Sequence, residues 1–226
     1  MFSLKYLVLG VTLIVALGIG VWCAVGYAST SGIETPKYTV VSSKDGLELR
    51  EYAPHILAQV VVEGEFDGAI NQGFRKVADY IFGNNESKKS SAASESIAMT
   101  APVLEQGATS ESIAMTAPVV ETKVDDTKRA VSFVMPSSYT LETLPKPKND
   151  EVKLIQVPKK RFAAITFSGN VDGDVAQRKK DELRARVAEN KWTSIGEPIL
   201  AQYDPPWTPP FMRKNEVLLE IDVTAD

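Results

Sequence analysis

Two hexapeptides constrain the fold of this chain more than anything else in it. Glu63-Gly64-Glu65-Phe66-Asp67-Gly68 and Ser168-Gly169-Asn170-Val171-Asp172-Gly173 share the pattern Gly-x-apolar-Asp-Gly, with Gly64 and Gly169 standing 105 residues apart. Each joins a strand pattern to a helix pattern. The apolar runs 55–62 (HILAQVVV) and 161–167 (RFAAITF) precede them and read as strands. After the first junction, Ile70, Phe74, Val77, Ala78 and Ile81 recur at helical spacing. They predict one buried face of a helix over 69–82, capped by Asp67 and stopped by Gly83. After the second junction comes a charged helix from about 174 to 190.

The elements that follow also match. An extended segment near prolines comes next in both places (97–103 and 198–206), then a closing strand, 129–135 (RAVSFVM) and 216–223 (EVLLEIDV). Ahead of the first half, runs 38–42 and 47–51 flank the turn Lys44-Asp45-Gly46. Two related β-β-α-β-β halves predict one α+β domain. Its sheet is a distorted antiparallel β-barrel of two pseudo-symmetric halves, with two flanking helices.

A second repeat is local. SESIAMTAPV occurs at 94–103 and again at 110–119, an offset of 16 residues. From Gly64 to Arg129 the chain runs 65 residues, against 47 from Gly169 to Glu216. The excess of 18 is close to the repeat, so one copy belongs to the fold and the other extends a loop, whose closure costs little extra entropy. A doubled rim of Met and Thr around a ligand is the functional reading of the same repeat.

The N-terminus stands apart. Residues 6–28 carry no charge over 23 positions, enough to span a bilayer as a helix. Lys5 on the N-terminal flank predicts a cytoplasmic N-terminus and an exported remainder, with the soluble part periplasmic or otherwise extracytoplasmic. Gly26-Tyr27-Ala28 also suits cleavage after Ala28, so a signal peptide and a retained anchor both stand. The expected division is 1–28 anchor or signal peptide, 29–36 linker and 37–226 globular domain.

Composition excludes several chemistries. The chain has a net charge of −4, and residues 29–226 carry −5 because Lys5 is the only charge before them; no basic excess exists to neutralise nucleic-acid phosphates. One cysteine, Cys23, and one histidine, His55, exclude a disulfide framework and a two-histidine zinc site. No P-loop, dinucleotide fingerprint or nucleophile elbow occurs.

Three segments together resemble the SOUL haem-binding family: IAMTAPV, VSFVMPSSYTLETLP and QYDPPWTPPFMRKNEVLLEI. The resemblance runs from about Tyr38 to Val223. It implies a distorted barrel of two halves that binds haem or another tetrapyrrole as carrier, buffer or sensor, without catalysis. It places the porphyrin in an apolar cleft between the first helix of the domain and the proline-rich loop before the last strand. On the helix the implied contacts are Asn71, Phe74, Arg75, Lys76, Val77, Ala78 and Ile81. On the loop they are Trp207, Thr208, Phe211, Met212 and Arg213. Aromatic and aliphatic groups suit the macrocycle, and cations suit its propionates. Where some relatives carry a histidine ligand this chain has Glu51; His55, four residues on, is the candidate metal ligand, Met99, Met115 and Met212 are weak alternatives, and binding without a protein ligand also stands. Two other readings remain. One is a small-molecule-binding or hydrolytic domain related to bacterial effector-binding regulators, using Glu48, Glu51, Glu216 or Glu220. The other is a non-haem envelope interaction protein.

Overall fold

The computed structural model describes residues 4–88, 113, 116–125 and 127–222. Helix α1 (Leu4–Thr30) leads into strands β1 (Tyr38–Lys44), β2 (Leu47–Tyr52) and β3 (His55–Glu63), then helix α2 (Phe66–Ile81). Next come β4 (Asn85–Glu86), β5 (Val119–Lys123), β6 (Lys128–Val134), β7 (Lys146–Pro147), β8 (Lys153–Val157) and β9 (Lys160–Phe167). Helix α3 (Gly173–Glu189), β10 (Ser194–Gln202), a short 3-10 turn (Pro210–Met212) and β11 (Asn215–Ile221) complete the order.

Nine strands form one curled, half-barrel sheet in the order β1-β2-β9-β11-β10-β5-β6-β3-β8, and β4 pairs β7 beside it. Leaving out β1, that order reads the same from either end once β2 is exchanged for β8, β3 for β9, β5 for β10 and β6 for β11. The registers repeat too: Val60 faces Val131 on β3 and β6, as Ile165 faces Val217 on β9 and β11. The halves meet at the β5–β10 seam, where Glu121 faces Leu200 between the pairs Val120–Ala201 and Thr122–Ile199. Exchanging the halves maps those flanking pairs onto each other, so the pseudo-two-fold axis crosses the seam at Glu121 and Leu200.

Both domain helices cover the same face of the sheet. Alternation along each strand sends every second side chain to that face. Val60, Val62, Val131 and Phe133 pack there with Val77 and Ile81 of α2, and Ile165, Leu200, Val217 and Leu219 pack with Leu183 and Val187 of α3. The helix approaches closely at Gly73, where an added Cβ would come within 2.5 Å of Val131 Cβ. On α3 the buried positions include Lys180, whose Nζ lies 2.7 Å from Glu121 Oε2, while Arg129 Nη1 lies 2.9 Å from Oε1. The carboxylate on the pseudo-axis thus has two cations, as a buried charge requires.

The junctions differ in one detail. Asp172 caps α3, its Oδ1 accepting from Val175 N at 2.8 Å. Asp67 does not cap α2: that helix begins at Phe66 after Glu65, which makes no side-chain cap. Phe66 is buried, with the Arg129 guanidinium 5.4 Å over its ring. Seating that ring starts the helix early and puts Asp67 in the first turn, where its charge still opposes the helix dipole. Gly83 ends α2 at φ 122°.

The described residues of the second SESIAMTAPV copy, 113 and 116–119, are built into the domain. Ile113 is buried, its N–H donating to Ile81 O at 2.9 Å. The Thr116 hydroxyl donates to Val134 O, and Pro118, which has no N–H, directly precedes β5. The first copy, with Met99, and Met115 of the second lie outside the described residues.

Residues Val8–Thr30 form a helix long and apolar enough to cross a membrane, with mean hydropathy 2.5. Its last turns are held to the domain. Pro209 sits on Gly26, where a Cβ would come within 2.8 Å of its Cδ. The segment after α1 is also engaged: Glu34 O accepts from Ala117 N and Glu34 Oε1 from Ser137 N, both at 3.0 Å.

Candidate functional site

The residues implied by resemblance fall on two surfaces. On α2, Val77 and Ile81 are fully buried and Ala78 nearly so, which makes them support behind a wall. Phe74 is 38% exposed and its ring lies 5.3 Å from that of Phe133. Asn71 and Arg75 are exposed; the Asn71 amide donates to Asp67 O at 2.9 Å. Lys76 bonds Glu151 at 2.8 Å across to the segment before β8. The accessible face of α2 therefore offers an aromatic ring beside a cation.

The late loop is held by its own contacts. Arg213 donates to Thr208 O at 2.8 Å, to Asn170 Oδ1 at 2.7 Å, and to Pro206 O, tying the loop to the second Gly-x-apolar-Asp-Gly junction. Met212 is half-buried. Thr208 is buried, and its hydroxyl has no hydrogen-bond partner among the described residues. Trp207 and Phe211 point outward, 57% and 65% exposed. The two surfaces supply rings and cations of the kind a tetrapyrrole dianion needs. The chain's residues fit the macrocycle and its propionates better than its iron.

His55 lies elsewhere. Its Nδ1 is 2.9 Å from Ala53 O; donation to that carbonyl leaves Nε2 as the free ring nitrogen. It lines a cavity of about 260 Å³ with Glu34, Pro36, Thr116, Met135 and Tyr139. None of the twelve residues expected at the cleft lines this cavity, so His55 does not share it with them. Such a cavity is below the usual range of ligand pockets, about 300–1,000 Å³. Among the described residues no group of three His, Cys, Asp or Glu side chains is placed to hold a metal ion.

The most elaborate polar constellation lies on the sheet face opposite the helices. Glu216 is fully buried. Its carboxylate accepts from Tyr203 Oη at 2.5 Å and Thr166 Oγ1 at 3.1 Å, with Arg50 at 3.0 Å and Lys214 at 3.1 Å. Burial alone would raise its pKa, but the Tyr203 hydrogen bond and the charges of Arg50 and Lys214 hold it below the ordinary value. Burial and the Glu216 charge push the Tyr203 hydroxyl up. Burial likewise lifts the Tyr52 hydroxyl, to about 12, although Arg50 opposes it. Arg50 also bonds Glu48 at 2.6 Å and stacks 4.5 Å from the Tyr38 ring.

All four carboxylates considered for hydrolysis are thus in ion pairs. Glu51 is bound by Lys159 at 2.6 Å and Arg161 at 3.1 Å, and these hydrogen bonds lower its pKa. Glu220 is bound by Lys160 at 2.7 Å. Sequence reasoning missed the Arg50–Glu216–Tyr203 cluster. The available signal was an acid and a lysine closing the PPFMRKNEV run, but alternation alone does not say which face of a strand is covered.

The model of the SOUL heme-binding protein family matches residues 33–220, so the chain belongs to that family. No curated protein matches it. Among solved structures it is similar to the EcmrR C-terminal domain, at 10% identity and a TM-score of 0.54, covering 82% of this chain and 98% of that one. It is also similar to EcmrR in a complex with DNA, at 9% identity and a TM-score of 0.53, covering 78% and 57%. A hydrolase from Listeria innocua matches at 13% identity and a TM-score of 0.45, covering 80% and 94%. The EcmrR likenesses show a shared fold.

Proposed function

We propose that this member of the SOUL family is a membrane-anchored tetrapyrrole-binding protein of the exported compartment, a carrier, buffer or sensor without a reaction of its own. The observation that carries the reading is the family match across 33–220. The site residues named from the resemblance form the proposed cleft. Phe74 on one wall and Trp207 and Phe211 on the other would stack on the macrocycle, with Val77 and Ile81 fixing Phe74 from behind. Arg75, Lys76 and Arg213 would hold the propionates. Haem, when bound, would supply redox or gas-binding chemistry at its iron. Of the chain's groups, His55 Nε2 is the one free imidazole nitrogen, and it faces the separate cavity. The anchor reading is supported by the uncharged run and Lys5, a pattern that favours a domain beyond the membrane.

Titrating haemin and metal-free protoporphyrin into the reconstituted chain tests this. Both should bind, because apolar burial at roughly 25 cal/mol per Å² dominates. Trp207→Ala and Phe74→Leu should each weaken both ligands by about 1–3 kcal/mol. His55→Ala should leave both unchanged. Absence of any Soret change would reject the function, and wild-type affinity in the wall variants would reject the location. A Soret shift with weakened haemin alone in His55→Ala would move the iron to the 260 Å³ cavity.

A further inference from the structure

We propose that the proline-rich loop between β10 and β11 is a membrane-seated surface. Trp207 and Phe211 lie in the headgroup layer of the bilayer that α1 crosses and set the domain's orientation to it. The proposal rests on the anchor reading above and goes beyond it, because a retained anchor on a free tether would leave the loop in water.

Length places the contact. Helix α1 has 27 residues, about 40 Å at 1.5 Å each, while the hydrocarbon core is about 30 Å thick. Its uncharged run starts at Tyr6, so roughly twenty residues carry it through the core to the neighbourhood of Val25. Its last two turns then stand at the far interface. The loop packs on those turns and on the turn before them. Trp22 Nε1 donates to Trp207 O at 2.7 Å, and Trp207 Nε1 donates to Ser29 Oγ at 3.0 Å. Pro209 lies on Gly26, in a space that a Cβ would fill. The loop cannot be far from the membrane surface while these contacts hold.

Exposure supplies the second observation. Among the described residues beyond α1, Phe211, Phe82 and Trp207 are the most open large apolar side chains, and two of the three are on this loop. With Trp22 and Tyr27 they make a group of aromatic side chains at one end of the span. Amphipathic rings gather at the headgroup level, where the face is apolar and the N–H or O–H can stay hydrogen-bonded. The occupant of the outer side of these rings, away from the proposed cleft, is therefore the bilayer itself. The late wall of the porphyrin cleft would open at the lipid surface.

The test uses the full chain in phosphatidylcholine nanodiscs carrying brominated lipid. The chain has three tryptophans, so single-tryptophan versions isolate each one: Trp22→Phe/Trp192→Phe leaves Trp207, and the other two pairings leave Trp22 and Trp192. Expected is loss of most of the emission of Trp22 and of Trp207, with that of Trp192 unchanged. Quenching of Trp22 with Trp207 behaving like Trp192 would overturn the proposal and leave the anchor standing. Quenching of neither would overturn both. Because Trp22→Phe removes one loop contact, Phe211→Cys with a polarity-sensitive dye, in a Cys23→Ser chain keeping all tryptophans, gives an independent reading. Its emission should shift to the blue on reconstitution; emission as red as in water would overturn the proposal.

Discussion

Glu216 faces Thr166 across β11 and β9, and Arg50 stands on β2 opposite Phe162. The matching positions in the first half are Ala130 facing Val61 and Ile155 facing Leu57. One backbone plan, in one register, buries a carboxylate and a guanidinium on one side and leaves aliphatic groups on the other. Val61 and Ile155 remain exposed there, at 45% and 37%. The helix side is asymmetric as well. Helix α2 comes close through Gly73 and presents an apolar face, whereas α3 buries Lys180 to meet Glu121. Topology is therefore set by the strand-turn-helix unit, and polarity is added to one half at a time.

The largest effect should come from breaking the network. Arg50→Met leaves Glu216 buried without its main cation and should cost about 3–5 kcal/mol in urea unfolding. Installing the first half's residues in the second, Arg50→Ile with Glu216→Ala, should cost far less than the two single changes added, because no charge is stranded. Additive costs would mean that the network does not act as a unit. Glu216 has a folded pKa below its ordinary value of 4.5, so the unfolded state binds more protons in acid. Its stabilisation is complete above that value and is lost as the pH falls through the folded pKa. Glu216→Gln should flatten the acid limb of the stability profile, and an unchanged limb would contradict the assignment.

The helix contacts come next. Gly73→Ala should destabilise by about 1–3 kcal/mol through collision with Val131. Gly173→Ala, whose Cβ would stand 3.4 Å from Phe66 Cβ, should change the unfolding midpoint little. Equal effects would remove the distinction between the two helices. Smaller still is the cap: Asp172→Ala should cost about 1 kcal/mol, while Asp67→Ala should cost a few tenths, about what charge near a helix start contributes. The smallest effect belongs to the insertion. Deleting 94–109 leaves the embedded copy in place and should shift stability by about 0.5 kcal/mol or less. Loss of cooperative unfolding would show that the first copy is also needed.

The same contrast explains what could be read in advance. The junction motif, the apolar runs and the Ile70–Ile81 spacing reveal strands, helices and two-fold plan because those signals are local. The Asp67 cap fails because Phe66 has a place in the core, a fact of tertiary packing. The burial of Lys180 is hidden in a run of charges, Arg178-Lys179-Lys180-Asp181-Glu182, any of which a helix could turn to water. Arg50 and Glu216 are brought together by β2 and β11, which both flank β9. Twelve residues are expected at the site from the family resemblance, and that none of them shares a cavity with His55 appears only once β3 and the late loop are placed.

The seam carries one last implication, about ancestry. In a symmetric pair of identical chains, whatever stood at position 121 would face its own copy across the axis. A glutamate there would confront a glutamate, and like charges directly opposed weaken a sheet. Joined in one chain, the two positions are free to diverge, and here Glu121 faces Leu200. Its two cations come one from each half, Arg129 from β6 and Lys180 from α3. The carboxylate thus works as a latch that neither half could assemble from two copies of itself, and such a latch makes the fusion hard to undo.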